Sequence, residues 1–263
     1  MFRAKNYVKV QNLAEAYELN KKKNNAVIGG MRWLSMSKRN IGTIIDLSGL
    51  GLNEIEETEE EFRIGCMCTL RQLELHPGLQ EYFHGEIKEM VRHIVGTQFR
   101  NGATVGGSVY GRYGFSDVIT GLLVLGTWVE LYHGGKLLLS QFVEMGYERD
   151  ILVRIVIPKD GRRMQYGSHR EAATDFPVIA CGVARKDDCW YISVGARPGR
   201  GKLVVREDQD LELDAAQLAK EVAAGMSFES NMRGSAGYRK HLAEVYIRRG
   251  VEMILAGGDL HAN

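Results

Sequence analysis

The sequence predicts an α+β protein in two parts: an N-terminal domain over residues 1–160, divided near residue 50, and a smaller α+β domain over 161–263. Three observations carry this prediction. The first fifty residues run strand, helix, strand. A different texture starts near Leu50, where an acidic hairpin is followed by helices. The polar, turn-rich Lys159-Asp160-Gly161-Arg162-Arg163 then breaks the chain directly after an apolar strand signal, Ile151 to Pro158. With 44% hydrophobic and 25% charged residues, the chain of 263 lies in the ordinary globular range, which excludes disordered, collagen-like and disulfide-scaffold readings. Its 34 Lys+Arg against 33 Asp+Glu leave a formal charge of +1 and argue against a dedicated nucleic-acid or anionic-membrane binder.

The elements follow in order. Phe2 to Tyr7 is a short extended segment, and Asn12 with Glu15 caps a helix that runs into the solvated Lys21-Lys22-Lys23. Ala26-Val27-Ile28 is a buried-strand signal broken at Gly29-Gly30, and Thr43 to Leu47 is a second strand. Glu54–Glu57 and Glu61–Ile64 flank an acidic turn as a hairpin. Thr69 and Gln72 open a helix that stops at His76-Pro77; a second helix is expected from about Leu79 to Val95, ending at Gly96. The glycine-dense stretch Gly96 to Gly114 reads as loop. Ser116-Asp117 caps a short apolar helix over Val118 to Leu125, and Trp128–Tyr132 with Leu137–Leu139 spell strand, turn, strand. In the last hundred residues Val178–Ala184 pairs with Trp190–Gly195. Asp214 with Gln217 caps one helix, and Ser235 to Leu255 makes the long final one.

No run approaches the roughly 18 apolar residues of a membrane span. The longest candidate, Val118 to Val129, holds Gly121 and Gly126 and meets Glu130. The start, MFRAKNYVKV, lacks the layout of a secretory signal, so a cytoplasmic protein without a membrane span is expected. Cys66, Cys68, Cys181 and Cys189 form no spaced metal motif and read as reduced thiols. His84, His93 and His133 show no carboxylate partner and read as surface or satisfied histidines; Gly195 to Gly201, with Arg197 and Arg200, reads as an exposed basic turn, with contact to NAD or a partner as its alternative.

Chemistry has to be sought in two glycine loops. The first, Val27-Ile28-Gly29-Gly30-Met31-Arg32-Trp33, follows a strand directly. Paired glycines let several backbone N–H groups converge on phosphate oxygens. It is neither a Rossmann fingerprint nor a Walker loop, and alone it reads as an ordinary turn. The second, Gln98 to Ser108, again pairs glycines, Gly106-Gly107, with Thr104 and Ser108 hydroxyls beside them. Asp117 either accepts from a sugar hydroxyl or merely caps its helix. Two such loops in one domain are better explained by a dinucleotide whose diphosphate lies between them than by coincidence.

QFRNGATVGGS at 98–108, followed by Ser116-Asp117, resembles the FAD-binding medium subunit of the molybdenum hydroxylases, the xanthine dehydrogenase and carbon monoxide dehydrogenase family. IGGMRWL is similar to that family's first flavin loop, AGGTDLL. DILVRIVIP at 150–158, HREAATDFPVIACGVA at 169–184 and MRGSAGYRKHLAEVYIRR at 232–249 resemble later family stretches, so the likeness spans essentially the whole chain in order. The resemblance implies a two-subdomain flavin-binding domain of PCMH type, with subdomains of about 1–50 and 51–160, followed by the smaller α+β domain. FAD would lie noncovalently between the subdomains. Val27 and Ile28 to Trp33 would wrap the diphosphate, with Thr104, Gly106, Gly107 and Ser108 closing it from the other side. Asp117 would hydrogen-bond the cofactor, Leu152 would lie near the flavin or adenine, and Ile94 would stand where some relatives place an aromatic residue against the isoalloxazine.

The resemblance also implies a role. Substrate would be oxidised at a molybdopterin centre on a large partner subunit, and electrons would pass through [2Fe–2S] clusters on a small subunit to this FAD, then to NAD or another acceptor. No acid–base catalytic pair is implied here. Three departures stand out. The family's Thr-Asp is Met31-Arg32, its Asn after the second glycine pair is Ser108, and the lysine that some relatives carry near 167–168 is Gly167-Ser168, with His169 or Arg170 nearby. No inserted cysteine loop is present, so no iron–sulfur cluster is expected on this chain. A standalone flavin oxidoreductase and a flavin-free docking scaffold are the rival readings.

Overall fold

The computed structural model describes residues 2–207 and 214–257. Its first unit is β1 (Arg3–Lys9), α1 (Leu13–Asn20), β2 (Ala26–Ile28) and β3 (Asn40–Asp46), a parallel sheet in the order β1-β3-β2. Asn12 caps α1 by accepting from the Glu15 amide at 2.9 Å, and the Glu15 carboxylate accepts from Gln11 N at 2.8 Å. Parallel strands cannot be joined by a tight turn and need crossovers, and α1 supplies the one between β1 and β2.

The second unit is an antiparallel sheet, β4-β5-β8-β6-β7, with helices packed on it. Its elements are β4 (Ile55–Glu57), β5 (Glu61–Gly65), α2 (Leu70–Leu75), α3 (Pro77–Tyr82), α4 (Glu86–Arg92), α5 (Thr97–Arg100), α6 (Val105–Tyr110), α7 (Asp117–Leu123), β6 (Trp128–Leu131), β7 (Gly135–Leu138), α8 (Leu139–Glu144) and β8 (Leu152–Pro158). The third unit is the antiparallel sheet β12-β11-β10-β9, built from β9 (Arg163–His169), β10 (Ile179–Lys186), β11 (Cys189–Gly195) and β12 (Lys202–Glu207), with α9 (Ala215–Ala224) and α10 (Ala236–Ala256) on one face. Period-two alternation divides β10 between two cores. Ile179, Cys181 and Val183 pack under α9 and α10, whereas Ala180 and Ala184 join Met164 and Tyr166 in the larger N-terminal core. Hydrophobic packing therefore continues across residue 160.

The structure corrects several sequence expectations. The helix foreseen over 79–95 is two helices, because His84 (φ 49°) and Gly85 (φ 83°) both adopt left-handed backbone. The glycine-dense stretch is not all loop: it holds α5 and α6. β9 and β12 went unforeseen, their polar composition hiding residues paired at the sheet's two edges. The basic turn is not free. Arg197 donates to Ser227 O at 2.9 Å and Arg200 O at 2.8 Å, while Arg200 donates to the carbonyls of Val143 and Glu144 at 2.8 and 2.9 Å. His93 does have a carboxylate, Glu89 Oε1 at 3.7 Å, and His133 stacks on Tyr17. Burial pushes the Cys66 and Cys68 thiols up to about 12 and about 11. Among the described residues, no helix is long and apolar enough to cross a membrane, and no cluster of His, Cys, Asp and Glu is placed to hold a metal.

Candidate dinucleotide site

The two glycine loops touch. β2 delivers Gly29-Gly30 beyond the carboxyl edge of the parallel sheet, where open α/β sheets place ligands. A Cβ on Gly30 would fall 1.5 Å from Gly102 O, and one on Gly29 would fall 2.3 Å from Thr104 Oγ1. Only bare backbone permits that approach. Met31 then turns through φ 54°, and Arg32 lies across the second loop, its Nη2 1.7 Å from where a Gly102 Cβ would be and its guanidinium 5.7 Å from the Phe99 ring centroid.

Their amides are in opposite states. Among the described residues, the N–H groups of Gly29, Gly30, Met31, Arg32 and Trp33 donate to no protein acceptor. At the second loop Val105 N donates to Cys68 O at 2.8 Å, Gly106 N to Cys66 O at 2.9 Å, and Ser108 N to Thr104 O at 3.1 Å. Gly107 N is taken by Thr104 Oγ1 at 3.1 Å, the N-cap of α6. So the loop expected to close over a diphosphate is an internally bonded helix start. It can offer the Thr104 and Ser108 hydroxyls but not those amides.

Around both loops runs a cleft of about 530 Å³, within the usual range for ligand pockets. Val27 to Trp33, Ile94, Thr104, Gly106, Gly107, Ser108, Asp117 and Leu152 all line it. Phe99 of the second loop and Arg170, weighed above beside the missing lysine, line it too; sequence reasoning missed Tyr113, Phe115 and Phe176, which complete its lining. No local motif marks them; they arrive from segments brought together only by the fold.

Asp117 is 5% exposed and already engaged. Its Oδ1 accepts from Tyr166 Oη at 2.5 Å and from Arg170 Nη2, while Arg170 Nη1 donates to Asp175 O at 2.7 Å. Burial raises the Asp117 carboxyl's pKa against the pull of Arg170 and Tyr166, and burial beside Asp117 lifts the Tyr166 phenol well above its usual value. The chain's own donors thus occupy one of the two Asp117 oxygens that a cofactor hydroxyl was expected to meet. Of the two groups near the missing lysine, His169 meets Tyr238 Oη at 3.1 Å and Arg170 meets the cleft. Arg32 Nε and Arg170 Nε are buried without a partner. Two orphaned cationic donors beside five unbonded amides form a wall that an anionic dinucleotide would satisfy.

Residues 1–160 match the family described as the FAD binding domain in molybdopterin dehydrogenase. The chain belongs to this family. It is thus the FAD-binding component of an oxidoreductase of the molybdenum hydroxylase type. It is 26% identical over 227 residues to the nicotine 6-hydroxylase medium subunit of Paenarthrobacter nicotinovorans, an alignment covering 78% of this chain and 80% of the relative. In structure it is similar to quinoline 2-oxidoreductase from Pseudomonas putida 86, with TM-score 0.85 and 18% identity over 98% of each chain. A Cu,Mo-CO dehydrogenase chain superposes with TM-score 0.84 and 21% identity over 98% of this chain and 100% of that one. These likenesses establish the α+β fold expected from the sequence.

Proposed function

We propose that this chain holds FAD noncovalently in the cleft and serves as the electron-transfer subunit of a molybdopterin-dependent hydroxylase. One observation supports the binding mode: Gly29–Trp33, whose amides donate to no protein acceptor among the described residues, line a cleft whose wall also holds Arg32 with its unpartnered Nε. In this reading those amides and Arg32 take the pyrophosphate. Thr104 and Ser108 approach it through their hydroxyls, and Ile94 and Leu152 exclude water beside the rings. Asp117 acts at one remove, holding Arg170 against the cleft. When bound, FAD supplies a centre that exchanges electrons singly or in pairs, and the protein contributes position and field. Electrons would arrive from [2Fe–2S] clusters on a small partner subunit, fed by a molybdopterin-bearing large subunit, and leave to NAD or another acceptor. The medium-subunit name of the nicotine 6-hydroxylase relative supports a three-subunit assembly.

The test is isolation from the native source with whatever accompanies the chain. A yellow protein that releases free FAD on denaturation and brings both partners supports the proposal. Bound flavin without partners would mean a standalone oxidoreductase, and partners without flavin a docking scaffold. Mixing the flavoprotein with NADH then reads the acceptor: bleaching of the flavin absorbance identifies nicotinamide as the exit, and an unchanged spectrum identifies another carrier.

A further inference from the structure

The cleft has an aromatic wall that the binding of a pyrophosphate does not use. Trp33, the last of the residues with an unbonded amide, stacks on Phe176 of the C-terminal half, with centroids 5.5 Å apart and planes at 23°. Phe115 stands edge-on to both, at 5.8 Å from Trp33 and 4.7 Å from Phe176. Tyr113 stacks on Phe115 at 5.2 Å and 16°, and tilts against Trp33 at 5.8 Å. From the remaining side the Arg233 guanidinium sits 5.0 Å from the Phe176 centroid, anchored by Asp175 at 2.5 Å. The four rings are therefore braced against one another and by a fixed cation, yet Trp33 and Tyr113 remain 38% and 40% exposed, and all four line the cleft. Large rings braced by neighbours and left half open on the cleft side form a stacking surface.

Position says what stacks there. A pyrophosphate seated on the amides of Gly29–Trp33 places its attached groups within one sugar length of the Trp33 side chain. We infer that Trp33 is a positioning residue for the isoalloxazine ring of FAD, with Phe115, Phe176 and Tyr113 holding its indole in place. The inference rests on the FAD reading above. The isoalloxazine is favoured over adenine because its three fused rings match a wall of several side chains, in a cleft that Ile94 and Phe99 also line. The wall also explains a feature of the fold: Phe176 belongs to the C-terminal half, so that half becomes part of the cofactor site through Trp33.

The experiment compares the full-length wild type with Trp33→Leu, Trp33→Phe and, as a control away from the cleft, Trp128→Phe. An indole in contact with an excited isoalloxazine quenches its emission by electron transfer, so bound FAD is expected to be dark in the wild type and in Trp128→Phe. Both Trp33 variants should lengthen its emission lifetime. Release should quicken roughly 3–10-fold in Trp33→Leu, the range expected for one aromatic contact, and stay near wild type in Trp33→Phe. ADP affinity should be unchanged throughout. Trp33→Phe preserves packing, so its lifetime decides the matter even if Trp33→Leu folds poorly. FAD that binds all variants with one lifetime and one release rate would overturn the inference and leave the function standing. So would ADP affinity falling in step with that of FAD, which would put adenine on the wall. A wild type that takes up no FAD would instead overturn the underlying reading.

Discussion

The two glycine bends look alike in sequence, each a Gly-Gly pair beside polar or cationic residues, and they lie against one another in the fold. Their backbone donors nevertheless differ completely. The bend after β2 leaves the amides from Gly29 to Trp33 unbonded, whereas the bend before α6 gives Val105, Gly106, Gly107 and Ser108 internal acceptors. The difference follows from what comes next in the chain. After Gly30, Met31 turns left-handed and only a short 3₁₀ turn at Leu34–Met36 follows. After Thr104 a capped helix starts at once and draws its first amides onto Thr104, Cys66 and Cys68. Glycine pairs report close backbone approach; which side of that approach binds a ligand depends on where the amides already point. In the proposed reading the first bend is therefore the anion site and the second is the surface it rests on.

The sharpest way to break this division is to separate the bends. Gly30→Ala would put a methyl 1.5 Å from the Gly102 carbonyl, a backbone atom that no rotamer change can move aside. FAD affinity is expected to fall roughly 100-fold, with about 2–3 kcal/mol of stability lost from overpacking. Titration with FAD and thermal unfolding read the two effects. Gly29→Ala meets the Thr104 side chain, its Oγ1 at 2.3 Å, which can turn away at the cost of the Gly107 N cap, so its effect on FAD affinity should be clearly smaller. Equal losses would show that both glycines serve a purpose other than the contact between the bends.

The second bend should respond to its foundation rather than to ligand. Arg100, at the end of α5, forks onto Glu74 with Nε–Oε2 at 2.7 Å and Nη2–Oε1 at 3.1 Å, both side chains nearly enclosed. Burial alone would raise the Glu74 carboxyl, but Arg100 and Arg71 outweigh it and the net pKa is lowered. A lowered folded value means the pair's stabilisation is complete above the ordinary glutamate pKa of about 4.3 and is lost as pH falls through the folded value. Glu74→Gln should therefore cost about 2 kcal/mol near neutral pH, and its penalty should shrink as the wild type is acidified below about pH 4. Urea unfolding at a series of pH values measures this. A penalty that persists unchanged in acid would show that the Glu74 charge is not what steadies the bend.

Much of this was legible in sequence. The strand before the first bend, the caps at Asn12, Thr69, Ser116 and Asp214, and the long last helix depend on neighbours within a few residues. What was not legible depends on distant ones. Glycine density around 96–114 suggested loop, yet α6 forms because Cys66 and Cys68, nearly forty residues earlier, accept its first amides. Gln165 on β9 looks like surface and is buried, because α10 packs over that face of the sheet, with Gly250 against the Gln165 Cβ. Asp117 was found as a residue but not in its bonding: the Tyr166 and Arg170 that occupy it lie in the other half of the chain. The aromatic wall had no sequence signal at all, since its rings come from three separate segments.

The finest test sets one side chain from each bend against the other. Arg32→Met removes the cation beside the unbonded amides while keeping an apolar stem over Phe99, so FAD affinity should weaken about tenfold, the cost of losing charge-assisted contacts, and become less sensitive to salt. Stability should hardly change, because Arg32 Nε is already without a partner. Thr104→Val removes the acceptor of Gly107 N and should show the opposite profile: about 1 kcal/mol of stability, as for other lost N-caps, with FAD affinity changed less than about threefold. Paired FAD titrations and unfolding curves on the two variants give four numbers, and the crossed pattern is the signature of one bend that binds and one that supports. If Thr104→Val weakened binding more than Arg32→Met did, the Thr104 hydroxyl would be the principal phosphate contact, and the roles assigned to the two bends would have to be exchanged.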